Sequence, residues 1–191
     1  MEIELKFRTN DLNKDACVKM IKEAGGVFLK EDVESDIYFN VSGRDSYTTK
    51  ECLRIRSSSN NFAEMTYKPP TIKGAIDKHY AKEETNIRVE DLEVAKKFLI
   101  LLGNEVLVYV IKHRSYFSFM ECVVCVDYLE KVGVFLEIEA NEEDRQVGLT
   151  KIERCAKVLR FSEENIERKP YRDLVWESSK KISALYQRGK F

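Results

Sequence analysis

The stretch that decides the fold stands at the start of the chain, where residues 2–8 read EIELKFR. Ile3, Leu5 and Phe7 alternate with charged residues, and successive side chains of a β-strand point to opposite faces. The segment is therefore predicted to be a strand with one apolar face and one charged face. The same alternation recurs along the chain, most clearly in residues 50–58, 106–118 and 133–140.

The rest of the chain carries both strand and helix signals. Further strands are predicted at residues 27–32, 34–40, 62–68, 79–88 and 119–128. Helices are predicted after a cap at Asn10 or Asp11, over residues 91–102, after Asn141 with an interruption at Gly148, and from Pro170. The order of these segments predicts an α+β fold with a largely antiparallel sheet.

Composition and charge restrict the class of protein. Of the 191 residues, 32 are Lys or Arg and 33 are Asp or Glu, so the formal net charge is −1. Duplex nucleic acid is bound through surplus positive charge, so no nucleic acid partner is expected. The longest apolar runs, residues 98–102 and 106–111, are far shorter than the roughly 18 residues of a membrane span, so no membrane partner is expected. We expect one domain over residues 1–176 and a basic tail over residues 177–191.

The cysteines favour a structural role. Their number, five, is odd and no secretion signal precedes them, which predicts reduced thiols in the cytoplasm. Cys122 and Cys125 form the one CxxC motif. Because positions three apart in a strand point to opposite faces, the two thiols are poorly placed to chelate one metal ion. We expect both to be small buried hydrophobic residues.

Like-charged residues lie two apart on several predicted strands and therefore share a face. The pairs are Glu2/Glu4, Arg54/Arg56, Lys112/Arg114 and Glu137/Glu139. An ordinary antiparallel sheet with one solvent-exposed face also shows alternating polar and apolar residues. On such a face, however, positive and negative residues tend to be mixed so that opposite charges pair across strands. Arginine forks suit phosphate oxygens, and carboxylates suit Mg²⁺ or Mn²⁺. Enclosed inside a barrel, such a face would hold a compact polyanion and a divalent cation, with side chains in place of a glycine-rich phosphate loop.

An ordered series of motifs carries a resemblance to a known family. The N-terminal Glu2-Ile-Glu-Leu-Lys6 resembles the ExExK signature of the CYTH superfamily, also called triphosphate tunnel metalloenzymes. Further segments resemble its class IV adenylyl cyclase branch: SDIYFN at 35–40, Arg44-Asp45, CLRIR at 52–56, MTYKPP at 65–70, Lys82-Glu-Glu84, Lys112-His-Arg114, Val126-Asp127, GVFLEIE at 133–139 and KPYRDL at 169–174. Three departures concern substrate choice: Pro69 after Lys68, Ser46 after Arg44-Asp45, and a shortened segment before Phe135.

The resemblance implies a fold and a set of site residues. The family fold is a closed eight-stranded antiparallel β-barrel, the triphosphate tunnel, with helices packed outside. The implied ligands of Mg²⁺ or Mn²⁺ are Glu2, Glu4, Asp127, Glu137 and Glu139. The implied triphosphate-binding residues are Lys6, Arg54, Arg56, Lys68, Lys112 and Arg114. Tyr38, Lys68 and Asp127 are nominated as catalytic residues, and a homodimer is compatible with the resemblance.

Several reactions fit the same site. The first is that of a class IV adenylyl cyclase, which converts ATP to cyclic AMP and pyrophosphate. The second is hydrolysis of thiamine triphosphate or inorganic triphosphate with release of orthophosphate. A third reading, a non-catalytic binder of polyphosphate or nucleotide, accounts less well for the acidic pairs, because binding an anion requires only the basic residues.

Overall fold

A computed structural model describes residues 2–59, 63–70 and 84–187, which contain eight strands, five α-helices and one short 3-10 helix (Glu163–Asn165). The side chains of Glu2 and of residues 181–187 are outside this description. The strands are β1 (Glu2–Arg8), β2 (Val27–Asn40), β3 (Cys52–Ser58), β4 (Ala63–Lys68), β5 (Thr85–Arg88), β6 (Glu105–Phe119), β7 (Cys122–Leu129) and β8 (Gly133–Asn141). The helices are α1 (Lys14–Glu23), α2 (Ser46–Thr49), α3 (Leu92–Leu101), α4 (Arg145–Val158) and α5 (Tyr171–Gln187).

The strands form one sheet in the order β1-β8-β7-β6-β2-β3-β4-β5, with antiparallel pairing. The predicted α+β class and the antiparallel sheet are confirmed. In the described residues this order ends at β1 and at β5, so closure into a barrel stays a prediction.

The chain divides into two compact units, which are described separately. Among the described residues, unit 1 contains 2–33 and 112–168, and unit 2 contains 34–59, 63–70, 84–111 and 169–187. The division falls within the two longest strands, β2 and β6. The helix α5 continues past position 176 without a break. The boundary between a domain that ends at residue 176 and a basic tail stays a prediction.

The core of unit 1 lies on the apolar face of its strands, as the alternation predicts. Ile3, Leu5 and Phe7 of β1 join apolar residues of β6, β7 and β8, and α1 and α4 cover them. Gly148 belongs to α4 and is buried, and a Cβ atom there would overlap Cδ1 of Ile3. The glycine therefore allows the helix to approach β1 closely, and the predicted interruption of the helix at this residue is wrong.

The core of unit 2 follows the same rule. Leu53 and Ile55 of β3 pack with Ile37 and Phe39 of β2 and with Leu99 of α3. Arg54 and Arg56 alternate with these apolar residues and so belong to the opposite face of β3. The helix α3 matches its prediction within one residue and is capped by the side chain of Asp91.

Some predicted boundaries are wrong because other residues provide the caps. Asn13, and not Asn10 or Asp11, caps α1 by accepting a hydrogen bond from the amide of Ala16 at 2.9 Å. Asp144, and not Asn141, caps α4. The short helix α2 was not predicted, and β2 is one strand where two were predicted. The predicted strand over 79–88 lies in part outside the described residues, as does Lys82.

No helix within the described ranges combines the length and the apolar character needed to cross a membrane.

Candidate active site

The charged face of unit 1 is ordered by the strand register. Directly opposite positions are Lys6 and Glu137, Glu4 and Glu139, and Arg114 and Asp127. Charges of one sign follow each other along a strand, but two of these three cross-strand pairs join opposite signs. Mixed pairing across strands is also found on an ordinary solvated face, so it does not by itself distinguish this face. The distinguishing feature is that four of its charged residues are buried, Lys112, Arg114, Asp127 and Glu137, whereas Glu4 is exposed.

Three carboxylates of unit 1 converge and form the carboxylate triad: Glu4, Glu137 and Glu139. One oxygen atom from each lies within 4.8 Å of the others. Glu4 and Glu139 are directly opposite like-charged residues on β1 and β8, an arrangement that repels unless a cation lies nearby. Carboxylate oxygens at this spacing fit a hard divalent cation such as Mg²⁺ or Mn²⁺.

Arg114 is the central cation of this face. Its Nε and Nη2 atoms donate to Oδ1 and Oδ2 of Asp127, both at 2.6 Å, and Nη2 also contacts Glu137. Its Nη1 donates to Oε1 of Glu139 at 3.3 Å. Burial alone would lower the pKa of Arg114, but the charges of Asp127 and Glu137 raise it well above its usual value. Arg114 therefore stays cationic.

Two lysines share the face with Arg114. Lys112 precedes Arg114 by two residues on β6 and is buried. Burial lowers the pKa of Lys6, and the charges of Glu137 and Glu4 oppose that shift. A buried lysine of this kind favours a neighbouring anion, because an anion stabilises its charged form.

Asp127 and Glu2 were predicted as metal ligands together with the triad. Asp127 is fully buried, and both of its carboxylate oxygens accept from Arg114. Its observed contacts are those of a residue that positions the guanidinium. Glu2 begins β1 and pairs with Asn141 through the backbone, and its side chain is outside the described residues.

In unit 2, Arg56 is held by two carboxylates. Its Nε and Nη2 atoms donate to Oδ1 and Oδ2 of Asp36 at 2.7 and 2.8 Å, and its Nη1 lies 2.9 Å from Oε2 of Glu34. Burial alone would lower the pKa of Arg56, but the hydrogen bonds and charge of Asp36 and the charge of Glu34 raise it. The side chain was predicted to bind triphosphate, yet its fork is already taken by Asp36.

Arg54 differs from Arg56, although only one residue separates them. Its Nη1 atom lies 3.9 Å from Oδ2 of Asp36, and its buried Nε atom has no hydrogen-bond partner. The hydroxyl of Thr66, directly opposite Arg54 on β4, is also buried without a partner. Buried polar atoms are rarely left unpaired, so these two neighbouring donors indicate a place for an anionic oxygen.

Tyr38 and Lys68, two of the nominated catalytic residues, also belong to unit 2. The hydroxyl of Tyr38 donates to Oδ2 of Asp36 at 3.2 Å, and burial raises the pKa of this tyrosine. The shift keeps the hydroxyl protonated near neutral pH, and the nominated catalytic role of Tyr38 stays a prediction. Lys68 forms an ion pair with Glu84, and a quarter of its side chain is exposed.

Sequence reasoning missed the acidic side of unit 2. Asp36 and Glu34 follow the same two-residue spacing as the predicted pairs, and Asp32 in unit 1 extends the series along β2. All three are buried. The spacing could have revealed them, but the strand was predicted to break beside Val33. Thr66 carries no comparable signal, because an uncharged residue in a strand is ordinary.

The two cysteines of the CxxC motif point to opposite faces, as predicted. Cys122 packs in the apolar core of unit 1. Cys125 is on the charged face, where its thiol donates to Oε1 of Glu139 at 3.8 Å. Burial raises the pKa of Cys125, so it stays a neutral thiol beside the carboxylate triad.

Comparison with known proteins agrees with this geometry. The CYTH domain family matches residues 1–171. The protein "Putative adenylate cyclase MJ0240" of Methanocaldococcus jannaschii is 35% identical over 179 residues, covering 91% of this chain and 98% of the relative. The solved structure of the PH1012 protein from Pyrococcus horikoshii is similar, with a TM-score of 0.76, 28% identity, and coverage of 91% of this chain and 99% of that one.

A more distant structure shares the fold. It is the "putative adenylyl cyclase" of Hippeastrum, described as having a dominant triphosphatase activity, with a TM-score of 0.63 and 17% identity over 94% of this chain and 96% of its own. The family match spans nearly the whole sequence and includes the strands that carry both charged faces. The chain belongs to the CYTH domain family.

Proposed function

We propose that the protein is a divalent-cation-dependent enzyme that acts on a triphosphate, and that it converts ATP to cyclic AMP and pyrophosphate. One observation carries the proposal: in unit 1 the carboxylate triad and three basic residues, Lys6, Lys112 and Arg114, share one face. A site for an anion alone would need only the basic residues. The similarity to the Methanocaldococcus protein supports the choice of reaction.

The carboxylate triad would hold Mg²⁺ or Mn²⁺. When bound, such a cation screens the charge of the phosphates and polarises the P–O bonds. In the cyclisation, the 3′-oxygen of the ribose gives its proton to solvent water and forms a bond to the α-phosphorus, and the bond from the α-phosphorus to the bridging oxygen breaks. Pyrophosphate leaves with the electron pair of that bond. Lys6, Lys112 and Arg114 would stabilise the charge that develops on the leaving group.

Unit 2, taken by itself, has a second group of residues that fits an anion. Arg54 and Thr66 have unpaired buried donors that fit a phosphate oxygen, whereas Asp36 and Tyr38 hold Arg56 and one another in place. Lys68 keeps the role that the resemblance implies, a contact to the triphosphate. Closure of the sheet into a barrel is part of this proposal, while the homodimer and the cytoplasmic location stay predictions from the sequence.

Hydrolysis of a triphosphate is the second candidate. The Hippeastrum protein shows that a chain of this fold can carry a dominant triphosphatase activity. In that reaction water replaces the ribose hydroxyl and attacks the γ-phosphorus, so the same residues would stabilise a similar charge. The two reactions differ in the attacking group and in the products.

One assay separates the candidates. The protein is incubated with ATP, thiamine triphosphate or tripolyphosphate, each with Mg²⁺ or Mn²⁺, and the products are resolved by ion-exchange chromatography. Cyclic AMP with pyrophosphate supports the first reaction, and orthophosphate supports the second. Binding without turnover would contradict both.

The site assignment is tested with Glu137→Gln. We expect turnover to fall about 100-fold or more, because the triad loses one charged ligand. Glu153→Gln is the matched control, since Glu153 is an exposed acid of α4 in the same unit. Full activity of Glu137→Gln would contradict the assignment.

A further inference from the structure

Arg114 contacts two of the three carboxylates that form the carboxylate triad. Its Nη2 contacts Glu137, and its Nη1 donates to Glu139 at 3.3 Å. A divalent cation held by the triad would use oxygen atoms of the same two side chains. The guanidinium and the cation are both positive, and a separation of a few ångströms in a partly buried site makes their repulsion strong.

Asp127 keeps Arg114 at this position. It binds the side of the guanidinium that carries Nε and Nη2, with two hydrogen bonds of 2.6 Å, and register places the two residues directly opposite each other. Asp127 can retain its hold on Nε while Nη1 and Nη2 leave the glutamates. The guanidinium could therefore change partners by a small rotation, without leaving the sheet face.

We propose that Arg114 is a built-in competitor of the divalent cation for Glu137 and Glu139, and that an anionic ligand relieves the competition by drawing the guanidinium away. The inference rests on the proposed function for the role of the carboxylate triad as cation ligands. It adds that cation binding and anion binding strengthen each other through one side chain. Such coupling is reciprocal, so each ligand raises the affinity for the other by the same factor.

The test measures Mn²⁺ binding alone, from the electron paramagnetic resonance signal of the free ion. The double variant Arg114→Met/Asp127→Asn removes both charges of the pair, so Asp127 is not left as an uncompensated buried carboxylate, and Lys6 stays directly opposite Glu137. We expect it to bind Mn²⁺ about tenfold more tightly than the wild-type chain, because the competing charge is gone. Circular dichroism checks that the variant folds.

The matched control is Lys151→Met/Glu142→Gln. Lys151 and Glu142 form an ion pair of 2.6 Å in the same unit, and the substitutions leave the net charge unchanged, as in the test variant. This control should bind Mn²⁺ as the wild-type chain does. Arg114→Lys keeps the positive charge but lacks the planar guanidinium. Because the charge causes the competition, the Mn²⁺ affinity of this variant should remain within about twofold of that of wild type.

The coupling has its own readout. Sulfate, a tetrahedral dianion that chelates Mn²⁺ weakly, should tighten Mn²⁺ binding to the wild-type chain and leave that of the double variant unchanged. The proposal is overturned if the folded double variant binds Mn²⁺ no more tightly than wild type, or if no chain binds it. Tighter binding by the variant without turnover by wild type would uphold the competition and refute the proposed reaction.

Discussion

Arg54 and Arg56 were both predicted to bind triphosphate, but the same substitution should impair mainly anion binding at Arg54 and mainly stability at Arg56. Replacing Arg56 with Met removes the guanidinium that contacts both buried carboxylates, Asp36 and Glu34. Removing one member of such a buried pair costs about 3–5 kcal/mol. We therefore expect Arg56→Met to lower the free energy of unfolding by about that amount.

Arg54→Met should cost much less. Its attraction to Asp36 acts over 3.9 Å. At an effective dielectric constant of about 20 this attraction is roughly 4 kcal/mol. Desolvation of the guanidinium opposes it by several kcal/mol, and Arg56 repels the same charge. After the substitution Asp36 still has both hydrogen bonds from Arg56. The net cost should be below about 1 kcal/mol.

Urea unfolding of both variants, without cation or phosphate, measures the difference in stability. Calorimetric titration with tripolyphosphate measures the affinity for the anion. Arg54→Met should bind tripolyphosphate about 10- to 100-fold more weakly than wild type, the equivalent of one charge-assisted hydrogen bond. Equal loss of stability in the two variants would refute the reasoning, and so would unchanged tripolyphosphate affinity in Arg54→Met.

Three further predictions concern other parts of the molecule. Gly148→Ala should destabilise the chain by about 1 kcal/mol, because overlap with Ile3 exceeds the gain in helix propensity. The loss of stability caused by Gly148→Ala should vanish when Ile3 is replaced with Val. Free energies of unfolding in urea that add up for the two substitutions would contradict this. Burial raises the pKa of Cys17 from 9.0 to about 11, against a hydrogen bond with Thr9 that lowers it. The unfolded thiol therefore ionises first, and stability should fall between pH 9 and about 11 more steeply in wild type than in Cys17→Ala; parallel curves would contradict the assignment. Tyr38→Phe should keep turnover within about tenfold of wild type, because the hydroxyl stays protonated, and a loss of about 100-fold or more with an intact fold would contradict this and support the nominated catalytic role.

The alternation of charged and apolar residues was sufficient to predict the sheet. In β1 and β3 every second residue is apolar, and these residues form the two cores as expected. Helix starts were less predictable, because several polar residues before α1 and α4 could act as caps and only the folded chain selects one. The continuity of β2 was not predicted, because several acidic residues close together are more typical of a turn than of a strand. In the folded chain Arg56 neutralises Asp36, which allows the strand to continue.

The partners of each charge could not be predicted from spacing. A shift of one residue in register exchanges every cross-strand neighbour, and nothing in a single strand determines that shift. Arg114 was expected to bind triphosphate and Asp127 to bind metal. The register places them opposite each other, and Arg114 donates two hydrogen bonds of 2.6 Å to Asp127, a pairing that the spacing along either strand does not reveal.

The positions of the cysteines supply a natural probe of local opening. Cys17, Cys122, Cys125 and Cys155 are buried in unit 1, whereas the one cysteine of unit 2, Cys52, is partly exposed. A thiol reagent can reach a buried sulfur only when the surrounding structure opens. Labelling kinetics resolved by peptide mass spectrometry would therefore report the opening of each unit in the unaltered chain, without any introduced dye.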